Sequence, residues 1–454
     1  MYLDLTPRYT RRERWRLRGV YVVYQIAIHL LLPVFLVILA LRTRKEPLYG
    51  AQWWNRFGFI GPRTQGRVFI FAASLGETRA ATPVIARLLA RGETILLTHS
   101  SAAGLAEARR AFPSEIADGR VVSAYVPFDM FWALSLFYHR HRPKLGLVVE
   151  AELWPAMLVQ AARVKLPMFQ INGNYTERGF TRDSKKLGGA RLLFWRLYQG
   201  ILTKSPERAE RYLAAGMPPE SVQLVGELKF DQQQKEPQIE AAKALLATHP
   251  AGAPVFGIAS SIEGEEAALL AIVAQLRGEV SPAPRIVWVP RSPQRFEAVC
   301  TLLQEAGVDA RLRSAVLAAD FTAPDGFTWP EVLVGDSIGE MDFYYSLCDL
   351  MFVGATLYPM GGHNIIEPLA LNKPVVTGPS IHGILYPALE AIEAGALRKY
   401  ENEQEMGKDL VSLFSDVEKL QGFAAKTGGF HGQHKGAADR TVSTLAPYLE
   451  ADHG

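Results

Sequence analysis

Short apolar runs alternate with amphipathic stretches along the chain from residue 46 onward. Such runs, bounded by polar or glycine-containing segments, are typical of buried strands, whereas apolar positions three and four residues apart are typical of helices. In the first half, the predicted strands are 68–74, 94–100, 124–129, 145–150, 167–172 and 200–205. The predicted helices between them include 78–90 and 153–164.

The second half repeats this alternation. Its predicted strands are 254–260, 285–291, 332–337, 350–356 and 374–378, and its helices include 265–277, 295–307 and 365–371. Strands that alternate with long helices form parallel sheets covered on both faces. The sequence therefore predicts an α/β protein with two Rossmann-like lobes, 46–212 and 213–454, separated where residues 215–219 interrupt the pattern. A last helix, 437–446, is expected to pack back across the lobes.

The N-terminal segment differs from the rest. Gly19–Leu41 contains no formal charge over 23 residues, and at about 1.5 Å per residue it is long enough for a hydrocarbon core of about 30 Å. We therefore predict a basic N-terminus and membrane anchor over residues 1–45; the alternative is a core helix of the soluble part. Arginines flank the segment on both sides, so the charge rule leaves spanning and interfacial placement both open.

Charge is concentrated at the same end. Residues 1–18 hold six arginines, one aspartate and one glutamate, a net +4, and the whole chain carries +3, so the remainder is close to −1. A globular part without net positive charge argues against nucleic acid as a partner. The basic terminus is better suited to anionic membrane lipids.

Several kinds of site have no signature in the sequence. The chain has two cysteines, Cys300 and Cys348, which excludes a disulfide scaffold and favours a reducing compartment. There is no Asp-x-Asp, His-Glu-x-x-His, Cys-x-x-Cys, Walker A loop or Gly-x-Ser-x-Gly. We therefore predict no metal and no cofactor.

Polar and glycine-rich clusters follow the predicted strands. They are residues 74–77, 150–155, 260–265, 290–295, 336–340 and 361–368. Open parallel sheets bind ligands beyond the carboxyl ends of their strands, so two facing lobes would place these clusters around one cleft.

Three clusters have the pattern Ser-x-x-Glu: Ser74/Glu77, Ser260/Glu263 and Ser337/Glu340. This pattern is typical of a helix capping box, in which both side chains satisfy free backbone N–H groups. The same position at a helix N-terminus favours a carboxylate, which suits a general base. Both interpretations can hold together. Glu150 and Glu152 lie two residues apart, and the pattern leaves open which of them faces the predicted cleft.

The segment Gly361-Gly362-His363-Asn364 precedes a predicted helix and is a candidate phosphate cradle, with a tight turn as the alternative. Glu367, one turn later, could accept hydrogen bonds from a ribose diol. Arg291 and Arg295 would share a helix face if the helix starts early, and could then bind a phosphate or carboxylate. A solvated face is the alternative for that pair.

Together these clusters resemble those of the Kdo (3-deoxy-D-manno-octulosonic acid) transferases of lipopolysaccharide synthesis over nearly the whole chain. The matching motifs are Ser74–Glu77, the Glu-x-Glu-Leu-Trp-Pro of Glu150–Pro155, Asp336–Glu340 and Gly361–Pro368. The resemblance implies a GT-B fold, a CMP-Kdo donor, a lipid A precursor as acceptor, and inversion without metal at the cytoplasmic face of the bacterial inner membrane.

The resemblance also implies roles for single residues. Glu77 corresponds to the catalytic base, and the donor nucleotide contacts are Arg291, Gly339, Glu340, Gly362, Asn364 and Glu367. A substrate-binding or a structural role is left open for Ser74, Gly76, Glu152, Lys229, Ser260 and Arg295. The chain departs from the family pattern at Asn174, Glu227, Ile262, Ser292 and Gly383.

These departures keep two alternatives open. The chain could be a divergent paralogue that uses another nucleotide-activated sugar or another acceptor. It could also be a non-catalytic, membrane-attached binding protein that retains the two-lobed fold.

Overall fold

The computed structural model describes residues 8–250 and 252–450. The chain forms two compact units: unit 1 takes the chain up to Gln232 together with the segment from Gly436 onward, and unit 2 is Gln233–Lys435. Each unit is built on its own parallel sheet.

In the described part of unit 1, seven parallel strands lie in the order β3-β2-β1-β4-β5-β6-β7. Their bounds are β1 Val68–Phe71, β2 Ile95–His99, β3 Val121–Tyr125, β4 Leu145–Val149, β5 Met168–Gly173, β6 Gly200–Thr203 and β7 Val222–Leu224. The order reverses between β1 and β4, so the loops after these two strands diverge and leave a crevice at the sheet edge.

Helices cover both faces of this sheet. They are α1 Arg11–Leu30, α2 Leu32–Lys45, α3 Leu75–Ala90, α4 Ala102–Ala111, α5 Pro113–Ala117, α6 Phe131–His141, α7 Pro155–Arg163, α8 Glu177–Lys185 and α9 Pro206–Ala214. Short 3₁₀ helices occur at Pro47–Gly50, Trp53–Phe57, Lys186–Leu197, Pro219–Ser221 and Leu228–Asp231. All four residues of β1 are buried, as expected for a strand covered on both faces, and each large apolar side chain buried there contributes about 1.5–3 kcal/mol.

In the described part of unit 2, seven parallel strands lie in the order β10-β11-β9-β8-β12-β13-β14. Their bounds are β8 Val255–Ser261, β9 Arg285–Pro290, β10 Ala310–Leu312, β11 Val332–Val334, β12 Leu350–Val353, β13 Val375–Thr377 and β14 Leu397–Lys399. The order reverses between β8 and β12. As in unit 1, the crevice beside the first strand is the expected ligand position.

The helices of unit 2 are α10 Glu236–Leu246, α11 Glu266–Glu279, α12 Phe296–Glu305, α13 Arg313–Val316, α14 Met341–Leu347, α15 Ile366–Ala370, α16 Leu385–Glu393, α17 Glu403–Phe414 and α18 Val417–His434. A 3₁₀ turn at Pro293–Arg295 precedes α12. The chain then re-enters unit 1 through α19, Ala437–Leu449.

The predicted fold class of two parallel α/β lobes is confirmed. The boundary lies after Gln232 rather than between residues 212 and 213, because β7 continues the sheet of unit 1 by pairing with β6. The segment from Gly436 belongs to unit 1, where Val442 and Leu445 of α19 join the apolar core. The sequence pattern missed β7, β10 and β14, each only three residues long.

The predicted N-terminal anchor consists of α1 and α2, with a bend of 49° between them. No single helix among the described residues meets the length and hydropathy expected of a membrane span, but this bent pair meets it when both helices are taken together. Residues 1–7 of the predicted basic terminus lie outside the described residues.

Candidate functional site

Glu77 lies in the first turn of α3, which begins directly after β1. Ser74 is the N-cap residue, and its hydroxyl accepts a hydrogen bond from the Glu77 N–H at 3.3 Å. The Glu77 carboxylate in turn accepts from the N–H of Ala73. The predicted N-cap role of Ser74 is therefore confirmed, whereas the Glu77 carboxylate accepts from Ala73, the residue before the N-cap. These backbone contacts hold the carboxylate at the carboxyl end of β1.

Two more carboxylates lie near Glu77. Glu150 and Glu152 follow β4, the neighbour of β1 in the sheet. The indole N–H of Trp154 donates to Glu152 Oε2 at 2.6 Å and fixes that side chain. Burial, followed by the negative charges of Glu152 and Glu150, raises the pKa of Glu77 to about 7 despite the backbone donors of Ala73 and Ser74. A carboxylate with this pKa can take up a proton near neutral pH.

A buried charge network lies beyond these carboxylates. Lys204 Nζ contacts Glu227 Oε2 at 2.9 Å, and Asn172 donates to Glu227 Oε1 at 2.8 Å. Burial opposes ionisation of Glu227, but Lys204, Lys229 and the hydrogen bond from Asn172 outweigh it and lower its pKa to about 2. Lys229 also lies 3.8 Å from Glu150. It therefore connects this network to the carboxylate group around Glu77.

Four residues at the strand ends have left-handed backbone conformations although none is glycine. They are Glu150 (φ 60°), Asn172 (φ 52°), Ser260 (φ 57°) and Ala355 (φ 60°). Each such residue costs about 1–2 kcal/mol. Strain of this kind clusters at functional sites, and here it is found at the carboxyl edges of both sheets.

In unit 2, Glu265 joins the loops after β8 and β12. It is fully buried, and its carboxylate accepts from the N–H groups of Ala355, Thr356 and Leu357 at 2.8, 3.0 and 3.0 Å and from Ile262 N at 3.0 Å. The sequence analysis did not single out this residue. Glu265 fixes the crevice where the strand order reverses.

The backbone N–H groups of Gly361–His363 do not form the predicted phosphate cradle, because they are already paired within the protein. The N–H groups of Gly361, Gly362 and His363 donate to Ser380 Oγ, Ala355 O and Gly354 O, at 2.9, 2.8 and 3.2 Å. They therefore do not point outward, and α15 behind them has only five residues. Both glycines have positive φ, 93° and 87°, so the segment is the tight turn that we considered as the alternative.

Arg291 and Arg295 do not share a helix face. Arg291 directly follows β9, whereas Arg295 is the N-cap residue of α12. The helix therefore begins after both arginines and cannot place them on one face. Arg295 contacts Glu266 at 2.8 Å. It therefore orders the loop after β8.

The charge of Arg291 acts on His363. Burial and the positive charge of Arg291 lower the pKa of His363. Among the described residues, the buried Nε2 of His363 has no hydrogen-bond partner. A guanidinium and an imidazole nitrogen without a partner are both groups that can bind a phosphate or sugar oxygen.

The third predicted cluster centres on Glu340. Its carboxylate pairs with Arg313 and accepts from the Ser337 hydroxyl. α14 begins only at Met341, so Ser337 is not its N-cap, and α11 begins at Glu266, so Ser260 is not a cap either. Two of the three predicted capping boxes are therefore wrong, because these serines lie too far from the helix start.

The remaining predicted positions lie in the same part of unit 2. The carbonyl of Gly339 accepts from Lys235 and from Gln238, the latter at 3.0 Å. Asn364 Oδ1 accepts from Ile366 N at 3.0 Å, and Tyr345 donates to Glu367 at 3.4 Å. Because β11, β9, β8 and β12 are adjacent, the loops carrying Glu340, Arg291 and Asn364 meet the end of β8, which contains Ser260, at one edge of the sheet.

Sequence reasoning missed Lys204, Glu265 and Arg313. Glu265 is the last residue of the polar cluster 260–265 and Arg313 lies outside every cluster, and the role of each comes from contacts with distant segments, Ala355 and Glu340. No cluster of three or more metal-binding side chains occurs in the described part of the chain.

Comparisons with known proteins give the same family as the sequence motifs. The model of the family described as 3-deoxy-D-manno-octulosonic-acid transferase (kdotransferase) matches residues 51–232. A 3-deoxy-D-manno-octulosonic acid transferase from Bordetella pertussis is 33% identical over 439 residues, covering 94% of this chain and 99% of that protein. The protein of the same name from Haemophilus influenzae is 28% identical, covering 92% and 96%.

Among solved structures, the UDP-GlcNAc 2-epimerase from Neisseria meningitidis bound to UDP-GlcNAc has the same fold. It aligns with 84% of this chain and 100% of its own, with a TM-score of 0.56 and 14% identity. At this identity the likeness concerns the fold alone.

Proposed function

The chain belongs to the family of 3-deoxy-D-manno-octulosonic acid (Kdo) transferases, and on that basis we propose that it moves Kdo from CMP-Kdo to a lipid A precursor in lipopolysaccharide synthesis, with inversion and without a metal. As a member of this family it is a glycosyltransferase, with the two parallel-sheet α/β units of the GT-B type.

The observation that carries the proposal is the environment of Glu77. Inversion in one step needs a base that removes the proton of the acceptor hydroxyl while its oxygen attacks the anomeric carbon. The pKa of Glu77 is raised to about 7 by burial and by Glu152 and Glu150. Glu77 takes the proton, a bond forms between the acceptor oxygen and the anomeric carbon, and the bond from that carbon to the CMP phosphate oxygen breaks with its electron pair.

The donor is assigned to unit 2. CMP leaves as a phosphate monoester, so one guanidinium and a few hydrogen-bond donors can balance its charge without magnesium. We assign Arg291 and the imidazole of His363 to the phosphate, since Arg291 is close enough to lower the pKa of His363. Gly339, Glu340, Gly362, Asn364 and Glu367 form the nucleoside part of the proposed site, and Glu340 is held in place by Arg313.

We further propose that the reaction takes place at the cytoplasmic face of the bacterial inner membrane. Two features support this location. The helices α1 and α2 together have the length and hydropathy of a span, and six arginines occur between residues 8 and 18.

The direct test replaces the proposed base. Glu77→Gln is expected to lower kcat for Kdo transfer by about 10²–10⁴-fold, with CMP affinity unchanged in calorimetry. Glu177→Gln is the matched control, since Glu177 also lies in the first turn of a unit 1 helix, but its side chain is 71% exposed. Transfer by Glu77→Gln at the rate of the control would remove Glu77 from the mechanism.

A second measurement tests the donor. Calorimetry with CMP, UDP and GDP on the intact protein should give the highest affinity for CMP, and Arg291→Ala should weaken CMP binding at least tenfold. Preference for UDP or GDP would instead identify a paralogue that uses another nucleotide sugar.

A further inference from the structure

A large apolar cavity lies within unit 1, between the N-terminal helices and the sheet edge. Its volume is about 790 Å³, within the range of sites that enclose small organic ligands. Val23 and Ile38 of α1 and α2 line one side, and Ser100, Phe128 and Trp154 line the other. These last residues follow β2, β3 and β4.

A buried arginine, Arg56, also lines this cavity. Its exposed fraction is only 6%, and its Nε and Nη2 are buried without a hydrogen-bond partner among the described residues. The ring of Tyr125 lies 4.1 Å from the guanidinium carbon. A buried charge without a counter-ion is costly, so an anion entering the cavity would be stabilised there.

Arg42, Lys186, Arg191 and the buried Asp129 also line this cavity. Arg42, at the end of α2, is exposed and close enough to Arg56 for its charge to add to burial in lowering the pKa of Arg56. Two guanidinium groups that repel each other suit a dianion, and the bidentate geometry of arginine suits a phosphate monoester.

The cavity adjoins the proposed base. β1, which precedes Glu77, lies between β2 and β4 in the sheet. Ser100, in the cavity wall, donates to the carbonyl of Ala73 at 2.9 Å, and the N–H of Ala73 donates to Glu77. Trp154, also in the wall, holds Glu152. A molecule anchored in the cavity would therefore present its polar part near Glu77.

We propose that this cavity binds one acyl chain of the acceptor and that Arg56 and Arg42 bind a phosphate group of the same molecule. This inference rests on the proposed function, because it takes the acceptor to be an acylated, phosphorylated glycolipid. The helices α1 and α2 then form part of the acceptor site.

Binding is tested with dodecyl phosphate, which combines a chain and a phosphate, on the full-length protein. Dodecyl phosphate should raise Tm, whereas inorganic phosphate and the neutral dodecyl maltoside at the same concentration should not. Arg56→Met should weaken dodecyl phosphate binding at least tenfold. Its Tm without ligand should stay the same or rise, because the substitution removes an unpaired buried charge.

A second variant tests whether the apolar lining of the cavity binds the acyl chain. Ala27 lines the cavity but is exposed, so Ala27→Trp should fill the cavity without disturbing the core. Val22, on the same helix and 54% exposed, is outside the lining, so Val22→Trp is the matched control. Ala27→Trp should raise KM for the acylated acceptor at least tenfold, leave KM for the donor unchanged and leave transfer to the deacylated, phosphorylated acceptor unaffected.

The outcomes separate this inference from the proposed function. Unchanged dodecyl phosphate binding in both Arg56→Met and Ala27→Trp would overturn the site. Weakened binding together with an unchanged KM for the acylated acceptor would also overturn the inference, since the occupant would then be a membrane phospholipid. Absence of Kdo transfer by the unmodified protein would refute the proposed function, and the inference about the acceptor with it, whatever the probe binds.

Discussion

Glu77 combines two roles that make opposite demands on its carboxylate. The hydrogen bond from Ala73 N stabilises the charged form, whereas burial and the neighbouring Glu152 and Glu150 disfavour it. The second effect is larger, since the pKa rises to about 7. The sequence motif predicted the cap, and the family resemblance implied the base, but the sequence pattern left open which of Glu150 and Glu152 faces the predicted cleft.

The raised pKa predicts the pH dependence of activity. If ionised Glu77 is the base, kcat/KM should fall below about pH 7. Glu152→Gln removes one negative charge while its side-chain oxygen can still accept from Trp154, so the acid limb should move to lower pH. If the acid limb of the kcat/KM profile stayed at the same pH in Glu152→Gln, a group other than Glu77 would control it.

The same shift predicts an effect on stability. Unfolded Glu77 loses its proton near its ordinary pKa of 4.5, but the folded protein keeps this proton up to about pH 7. Glu77 therefore lowers the free energy of unfolding progressively as pH rises from 4.5 to 7. Glu77→Gln should raise Tm at pH 8 and leave it nearly unchanged at pH 4. A lower Tm at pH 8 would show that the capping contact outweighs the burial of charge.

Buried acidic side chains hold together the loops that follow adjacent strands. Glu265 connects the turn before α11 to the backbone after β12, and Glu227 joins Lys204, after β6, to Asn172, at the end of β5. Of the proposed donor residues, Gly362 and Asn364 lie in the segment after β12 whose start Glu265 fixes. The geometry of this site therefore depends on a residue outside it.

Replacing Glu265 tests this dependence. Glu265→Gln would place an amide group against backbone N–H donors, and we expect a loss of about 1–3 kcal/mol in the free energy of unfolding together with weaker CMP binding. Glu263→Gln is the control, because its side chain is 84% exposed two residues away. Equal unfolding midpoints for the two variants in urea would contradict a structural role for Glu265.

Whether the sequence predicted a strand depended on how fully the strand is buried. Strands such as β1 and β8, with continuous apolar runs, were predicted because burial on both faces requires such runs. The missed strands β7, β10 and β14 lie at sheet edges and are partly exposed, so they lack a continuous apolar run. The equally short strands β11 and β13 are fully buried and were predicted. The wrong capping boxes at Ser260 and Ser337 and the inward N–H groups of Gly361–His363 show that a local motif does not determine where a helix begins or which backbone groups are already paired.

The division of the protein into two units does not follow the order of the chain. α19 comes after unit 2 in sequence but packs into unit 1, where Asp231 accepts from Gly436 N and Ala438 N, the latter at 2.7 Å. The sequence predicted the helix but not the unit that it completes, because an amphipathic pattern does not specify its partner.

This arrangement predicts which unit loses stability when α19 is altered. Leu445 is fully buried, so Leu445→Ala should lower the free energy of unfolding of unit 1 by about 2–5 kcal/mol. CMP binding, assigned to unit 2, should persist at temperatures where transfer is lost. Ser443→Ala, at an exposed position of the same helix, is the control. If Leu445→Ala lost CMP binding and Kdo transfer at the same temperature, this would contradict independent unfolding of the two units.

The return of the chain through α19 also sets an order of events during synthesis. A ribosome translates all of unit 2 before the segment that completes unit 1, so unit 2 can fold as one continuous stretch while part of the unit 1 core still lacks its covering helix. The apolar surface awaiting Val442 and Leu445 is then exposed for as long as some 200 residues take to emerge, roughly 10–40 s at about 5–20 residues per second. We expect nascent chains that end before Gly436 to be bound by chaperones through unit 1.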